Sequence, residues 1–342
     1  MNRKLILSII SVLLIIGGFI GYRYYQNIFG EIVEKNGAIY IRSNDNIGDV
    51  KKELIEFIGD KNNFFWLAEK KKYGKPKAGK YMLTKGMSLN DVINLLRSGN
   101  QTPIKLSFNN QDTLEKFSGR IAEQIEADST TILNTFKDSL FLAENKFTEA
   151  SVLGICIPNT YEIYWNTSAE KFRSRMLKEY NRFWNNNRLE KAKVLKMTPN
   201  EVMALASIVY KETPKAVEQP RVAGLYLNRI KKGIPLQADP TIIYILKQQF
   251  GQDFEVKRVL YKDLKIESPY NTYLHYGVPP SLIAMPDITS IDAVLNYERH
   301  DYLYMCVNID KFGYHAFASS LKQHNRNAAK YQRWLNKQGI NR

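Results

Sequence analysis

The sequence predicts an α+β protein made of a single N-terminal transmembrane helix, a small α+β subdomain and a larger mixed α+β domain. Three observations predict this arrangement. Residues 5–22 are uncharged and largely apolar, residues 37–105 alternate short strand-like and helical segments, and residues 106–342 are mainly helical with a late pair of strand-like segments. A chain of 342 residues with 44% hydrophobic content can bury the cores of at least two domains.

The apolar run at residues 5–22 is long enough to approach a bilayer span, and basic residues flank it on both sides. An uncleaved anchor is favoured over a signal peptide, because aromatic and basic residues follow the run where a cleavage site needs small ones. Positive charge before the span predicts that residues 1–4 are a cytoplasmic tail. Residues 23–36 then form a juxtamembrane linker, and everything beyond the span lies outside the cytoplasm.

The net charge of +15, from 49 Lys+Arg against 34 Asp+Glu, favours anionic surroundings. An extracytoplasmic location argues against nucleic acid as the partner and leaves membrane headgroups and the cell wall. The two cysteines, Cys156 and Cys306, lie in apolar segments that suit either a disulfide or buried free thiols.

The two folded regions are predicted element by element from periodicity, caps and turn residues. In the small subdomain the predicted strands are 38–41, 80–83 and 104–108, and the predicted helices are 47–58, 64–72 and 88–99. In the larger domain helical patterns cover 113–188 with a break at 154–164, and helices follow at 198–212, 220–230 and 321–337. The rest is a Pro- and Tyr-rich region at 236–286 and a strand pair at 302–307 and 314–318.

One of these helices ends on a carboxylate in an unusual place. Thr198 and Glu201 form a capping box that starts the helix, and Pro214 disfavours its continuation. Glu212 falls on the apolar stripe in the last turn, where partial burial and the helix dipole both penalise the ionised form. We therefore predict a raised pKa for Glu212, as a general acid near neutral pH requires. The alternative is that this side chain reaches solvent and pairs with a neighbouring lysine.

Polar and aromatic side chains are concentrated in two segments interpreted as loops, 236–244 and 268–286. The candidate substrate-binding residues in them are Gln237, Asp239, Tyr270, Asn271 and Tyr273. Rings that stack on sugar C–H faces and amides that bind hydroxyl or N-acetyl groups suit a carbohydrate, although packing over a core would explain the composition equally well. No metal site or cofactor is expected, because the four histidines lack ligand spacing and no nucleotide-binding fingerprint occurs in the sequence.

Several sequence blocks together resemble one known family. The blocks are VYKET at 209–213, LQADPT at 236–241, SPYNTY at 268–273, GVPPSLIAMP at 277–286, and DYLYMCVN with HAFASSLKQHN within 301–325. In order and spacing they resemble the MltG (YceG-like) endolytic murein transglycosylases. Residues 78–99 resemble that family's LysM-like subdomain, so the resemblance implies a LysM-like subdomain at 37–105 and a catalytic domain at 106–342.

The resemblance also implies a reaction. Lytic transglycosylases cleave the β-1,4 bond from N-acetylmuramic acid to N-acetylglucosamine without water and leave a 1,6-anhydromuramyl end. The family's E-K-E-T type motif places the catalytic acid at Glu212, while Tyr210 replaces the first acidic position. The sequence departs from the family pattern a second time at residues 109–111, where many relatives carry Glu-Gly. This difference concerns the backbone conformation at that junction and not the chemistry.

Partners and alternatives follow from the same resemblance. It implies nascent peptidoglycan strands as the substrate, shortening of those strands, a location at the cell (inner) membrane, and work beside penicillin-binding proteins and other cell-wall synthesis proteins. Two alternatives stay open. One is a lysozyme-like muramidase that uses Asp239 as a second carboxylate, and the other is a non-catalytic peptidoglycan-binding scaffold.

Overall fold

The computed structural model describes residues 3–60, 63–256 and 258–337 and has a mixed α+β architecture. Within these ranges the helices are α1 Arg3–Phe29, α2 Ile47–Ile58, α3 Phe64–Lys70, α4 Leu89–Ser98, α5 Leu114–Ala122, α6 Ser129–Phe136, α7 Ser139–Glu144, α8 Ala169–Phe183, α9 Asn186–Val194, α10 Pro199–Glu212, α11 Gln219–Lys231, α12 Asp239–Phe250, α13 Ile288–Leu295 and α14 Leu321–Lys337. The strands are β1 Gly37–Ile41, β2 Gly79–Leu83, β3 Ile104–Phe108, β4 Asn159–Ile163, β5 Tyr304–Val307 and β6 His315–Ala318.

Helix α1 contains the predicted apolar segment. Its part Ile6–Phe29 is long and apolar enough to cross a bilayer, with a mean hydropathy of 2.0, and suits an anchor or a signal sequence. The helix continues to Phe29, so the predicted linker 23–36 begins as helix rather than as irregular chain. Ile28, near its end, is buried in an apolar core, which stabilises these last turns.

The described chain divides into two compact units. The first comprises residues 1–106, 122–128 and 160–168, and the second comprises residues 107–121, 129–159 and 169–342. Each has its own apolar core.

In the first unit β1 and β2 pair antiparallel, with Gly37 opposite Leu83. Helices α2 and α4 each begin with a capping box, built on Asn46 and on Ser88. Apolar side chains from these helices and both strands form the core. The strands and helices predicted in this region are confirmed to within two residues. Its likeness to a LysM unit stays a prediction.

In the second unit α10, α11 and α13 pack against one another. All of the side chains from Val202 to Val209 are buried, so α10 is enclosed on every side rather than along a single stripe as predicted. The reason is its composition, which is apolar around the whole helix. The strand pair is confirmed as β5 and β6, with Val307 opposite His315, and α14 packs against both strands.

The segment 236–244 is not the loop that its proline suggested. Helix α12 begins at Asp239 and carries Pro240 in its first turn, where the missing N–H of proline costs nothing. Its residues Thr241, Ile242, Ile245 and Leu246 are buried. Burial of this apolar face outweighs the loop character that the segment shows in isolation.

Candidate functional site

Helix α10 begins and ends as predicted. The Thr198 hydroxyl accepts a hydrogen bond from the Glu201 N–H, and the Glu201 carboxylate accepts one from the Thr198 N–H, at 2.7 Å. At the other end Thr213 is extended, and its N–H closes the last turn on the Val209 carbonyl at 3.2 Å. The chain therefore leaves the helix directly after Glu212 and presents this side chain at the helix end.

Glu212 does not form the predicted alternative pair with a lysine. Lys211 Nζ instead binds the Asp112 carboxylate at 2.6 Å, and Lys215 Nζ lies 5.9 Å from the centre of the Tyr314 ring. Glu212 is only partly exposed.

The Glu212 carboxyl has a pKa raised to about 7 from the ordinary value of 4.5. Burial is the main cause, and the negative charge of Asp239 adds to it. The hydrogen bond from Tyr226 and the charge of His315 lower the pKa and partly offset the burial. The predicted direction is confirmed, and a carboxyl with this pKa can hold a proton near neutral pH.

Tyr226, on α11, fixes the orientation of the carboxyl. Its buried hydroxyl donates to Glu212 Oε1 at 2.5 Å. Burial and the adjacent carboxyl raise the pKa of this phenol well above its usual range, so it stays a donor. Because Oε1 accepts from Tyr226, the proton of the neutral carboxyl belongs on Oε2.

Arg229, one turn further along α11, is a buried cation that binds mainly neutral groups. It donates from Nε to the Pro235 carbonyl at 2.8 Å, from NH1 to the Leu303 carbonyl at 2.8 Å and from NH2 to Gln237 Oε1 at 2.5 Å. Burial lowers the pKa of the guanidinium. Arg229 therefore ties the segment after α11 to the segment before β5.

Asp239 and Tyr273 form a second polar pair. The Tyr273 hydroxyl donates to Asp239 Oδ1 at 2.5 Å. Burial, and next the hydrogen bond to Asp239, raise the pKa of Tyr273 well above its usual range. Asp239 itself is exposed, at the first residue of α12, where the helix dipole favours its negative charge.

Glu218 and His315 form a third pair. The Glu218 side chain is only 2% exposed, and it accepts from the His315 N–H at 2.7 Å and contacts His315 Nδ1 at 2.9 Å. A carboxylate on Nδ1 fixes the ring orientation and places the Nδ1 proton between the two groups. The start of β6 is thereby attached to the turn before α11.

Five of the six residues in these pairs, all except Glu218, line one cavity of about 380 Å³. The described residues that line it are Glu212, Leu225, Tyr226, Arg229, Leu236, Gln237, Asp239, Tyr273, Leu303, Tyr304, Met305, Cys306, Val307, His315 and His324. Both cysteines are free thiols, and Cys306 lies in the cavity wall.

Four of the six residues predicted for the site line this cavity, namely Glu212, Gln237, Asp239 and Tyr273. The other two are outside its described lining and bind the protein itself. Asn271 is fully buried and donates to the carbonyls of Leu264 and Ile266 at 3.0 and 2.8 Å. The Tyr270 hydroxyl lies 2.7 Å from Ser281 Oγ, and its ring packs on Tyr244.

The sequence analysis predicts no site role for four of these residues, namely Tyr226, Arg229, Glu218 and His315. Tyr226 and Arg229 lie at i and i+3 on one face of α11, a spacing that could have been noticed. Glu218 and His315 are far apart in the chain, and no local pattern connects them.

Comparison with known proteins identifies relatives that cover most of the chain. A sequence model of the YceG-like family matches residues 39–330. The endolytic murein transglycosylase of Bacillus subtilis (strain 168) is 29% identical over 340 residues, which cover 93% of this chain and 91% of that protein. The endolytic murein transglycosylase of Streptococcus pneumoniae serotype 2 (strain D39 / NCTC 7466) is 25% identical, and the match covers 93% of this chain and 63% of that protein.

One solved structure is also similar. It is a 2.6 Å crystal structure of a yceG-like protein from Listeria monocytogenes. The TM-score is 0.57 with 27% sequence identity, and the match covers 85% of this chain and 98% of that one.

Proposed function

This chain belongs to the YceG-like family, and on that premise we propose that it is a lytic murein transglycosylase that cleaves the glycan strands of peptidoglycan. The relatives named endolytic murein transglycosylase support the activity. The observation that carries the proposal is the Glu212 carboxyl, with its pKa of about 7, in a cavity lined by polar and aromatic side chains.

The proposed reaction begins with proton transfer from Glu212. Oε2 donates its proton to the glycosidic oxygen while the bond from that oxygen to C1 of N-acetylmuramic acid breaks, and N-acetylglucosamine leaves with a 4-hydroxyl. Positive charge develops on the muramyl ring. The carboxylate of Asp239, in the same cavity, would stabilise that charge.

The second step uses the substrate's own 6-hydroxyl. Its oxygen attacks C1 and forms the 1,6-anhydro bond, while the Glu212 carboxylate accepts the hydroxyl proton and returns to its starting state. The nucleophile is tethered to the reacting carbon, which gives it a high effective concentration. A single carboxyl can therefore serve both steps without an activated water.

The cavity residues divide into proposed contacts and supports. Gln237 and Tyr273 would contact the sugars, since both line the cavity with Glu212. Tyr270 and Asn271 would act by holding the loop that carries Tyr273, because Asn271 Oδ1 accepts from the Tyr273 N–H at 2.9 Å.

A lysozyme-like hydrolase is the second candidate. The presence of Asp239 in the same cavity as Glu212 favours it, because hydrolysis needs a second carboxylate to activate water or attack the sugar. The products separate the two reactions, since a reducing end is one water heavier than an anhydro end.

The decisive experiment digests purified peptidoglycan with the full chain in detergent and analyses the products by mass spectrometry. Wild type should release anhydromuramyl ends, and Glu212→Gln should release none. Glu144→Gln, at the exposed end of α7, is the matched control and should behave as wild type. Reducing ends would support the hydrolase, and binding without products would support a scaffold.

Location and partners are proposed on the same basis. Helix α1 would anchor the protein in the cell (inner) membrane as a single pass with a cytoplasmic N-terminus, and both units would face nascent strands outside the cytoplasm. Penicillin-binding proteins and other cell-wall synthesis proteins would be its neighbours. The excess of basic residues suits anionic headgroups and the carboxylates of stem peptides.

A further inference from the structure

Gln237 has a backbone conformation that residues other than glycine seldom adopt. Its φ is +51°, in the left-handed region, where a residue with a side chain is strained. Its N–H donates to the Thr272 carbonyl at 2.9 Å, and the next N–H, of Ala238, donates to Thr272 Oγ1 at 3.0 Å. These bonds hold the strained residue in the wall of the cavity that contains Glu212.

Arg229 fixes the side chain of this residue as well. The guanidinium is held by two backbone carbonyls, of Pro235 and Leu303, and its remaining bond goes to the Gln237 amide. Arginine can only donate hydrogen bonds. The atom of the amide that faces Arg229 must therefore be the oxygen, Oε1.

The consequence is that the other end of the amide is a fixed donor. Nε2 of Gln237 carries two protons and has no hydrogen-bond partner among the residues that the structure describes. An unrestrained glutamine could rotate and offer either its oxygen or its nitrogen to a ligand. Here rotation would break the bond to Arg229 and set the NH₂ group against the guanidinium, so the cavity is offered only the donor.

We infer that Arg229 and Gln237 make the cavity selective for N-acetylated sugars, with Gln237 Nε2 donating to the acetamido carbonyl. The inference rests on the proposed function and specifies which glycan the site accepts. A sugar hydroxyl both donates and accepts, so it would pair with either end of the amide. A carbonyl only accepts, so it is the group that a fixed donor distinguishes. Arg229 acts as a positioning residue, through Gln237.

The substitution Gln237→Glu tests this with little change of shape. One carboxylate oxygen can still accept from Arg229, while the other replaces the NH₂ donor with a charged acceptor. This second carboxylate oxygen should repel an acetamido carbonyl and attract the ammonium group of a de-N-acetylated sugar. We expect wild type to favour N-acetylated strands, and the variant to lower the ratio of kcat/KM for N-acetylated over de-N-acetylated strands by roughly tenfold or more.

The ratio isolates specificity from other effects of the new charge. An added carboxylate near Glu212 would raise the pKa of that acid, but it would alter the rate on both substrates alike. The matched control is Gln249→Glu, on α12 outside the described cavity lining, which should leave the ratio unchanged. An unchanged ratio in Gln237→Glu would overturn the inference. The inference would also be overturned if the ratio changed when the stem peptides were removed from the strands. The carbonyl at the lactyl group would then be the partner of Gln237 Nε2.

A binding measurement keeps this test separate from the test of the reaction. Glu212→Gln alone and combined with Gln237→Glu should bind N-acetylated and de-N-acetylated glycan fragments with opposite preference, whether or not wild type turns them over. Equal preference in the two variants would contradict the inference and leave the proposed reaction standing. Absence of anhydro products from wild type would contradict the reaction alone.

Discussion

Neutralising Glu212 should stabilise the folded protein at alkaline pH. The substitution Glu212→Gln keeps the size of the side chain and an oxygen that can accept from Tyr226, while it removes a buried charge. A pKa raised from 4.5 to about 7 corresponds, at about 1.4 kcal/mol per pH unit, to roughly 3 kcal/mol of lost wild-type stability. This is the cost of ionising the carboxyl in its folded environment instead of in water.

The pH at which the gain appears follows from the two pKa values. Below pH 4.5 the carboxyl is protonated in both the folded and the unfolded chain, and its titration changes nothing. Between pH 4.5 and about 7 the unfolded chain ionises while the folded chain keeps its proton, so wild-type stability falls as the pH rises. Above about pH 7 the loss is complete. The glutamine side chain does not titrate, so the variant does not undergo this loss of stability.

Thermal unfolding of the full chain in detergent, followed from pH 4 to pH 8, measures this difference. For a unit the size of the second one, each kcal/mol shifts Tm by roughly 2–4 °C. The Tm of Glu212→Gln relative to wild type should therefore rise by roughly 6–12 °C between the two ends of the range. Glu144→Gln, which removes an exposed carboxylate, should show no comparable rise. An equal Tm difference at pH 4 and pH 8 would show that Glu212 titrates alike in the folded and the unfolded chain.

Three further substitutions test helix α11, which supplies the donor to the Glu212 carboxyl. Tyr226→Phe removes the donor to Glu212 and should raise its pKa further, so the alkaline limb of the pH–rate profile should move up by roughly 0.5–1 pH unit; a limb that stays in place would contradict this role. In Arg229→Lys the compact ammonium cannot reach the three separate acceptors that the planar guanidinium binds, and thermal unfolding should show a loss of about 2–4 kcal/mol. An unchanged Tm would contradict this role of Arg229. Gly224→Ala would place a methyl 2.3 Å from the Glu298 carbonyl oxygen, and unfolding should show a loss of about 1–3 kcal/mol; wild-type stability would exclude so close a contact.

Local patterns in the sequence were sufficient for the elements that carry the proposed acid. The capping box at Thr198 and the proline at 214 set the bounds of α10, because both act on the backbone within one turn. The strand pair β5 and β6 likewise follows from alternation around a turn that contains Gly313. The direction of the Glu212 pKa could be predicted because burial of its helix follows from apolar composition.

Helix α12 and the roles of the 268–286 segment could not be predicted in this way. In the sequence Pro240 indicates a loop. In the folded chain the apolar face of the following residues is buried, and Pro240 occupies the first turn of a helix. Asn271 looks like a sugar ligand in sequence, yet its amide is used by the carbonyls of its own loop. Composition describes which groups are available, and it does not tell whether a protein atom or a ligand will occupy them.

The family, the apolar first helix and the bounds of α10, with Glu212 at its end, could be predicted from the sequence alone. Each depends on residues within a few turns or on a long ordered set of motifs. The partners of the Glu212 carboxyl depend instead on how the helices pack in three dimensions. Tyr226 meets Glu212 across a helix pair, and Arg229 meets Gln237 across a turn with positive φ. Hydrogen bonds are short and directional, so the packing of whole elements settles which donor meets which acceptor.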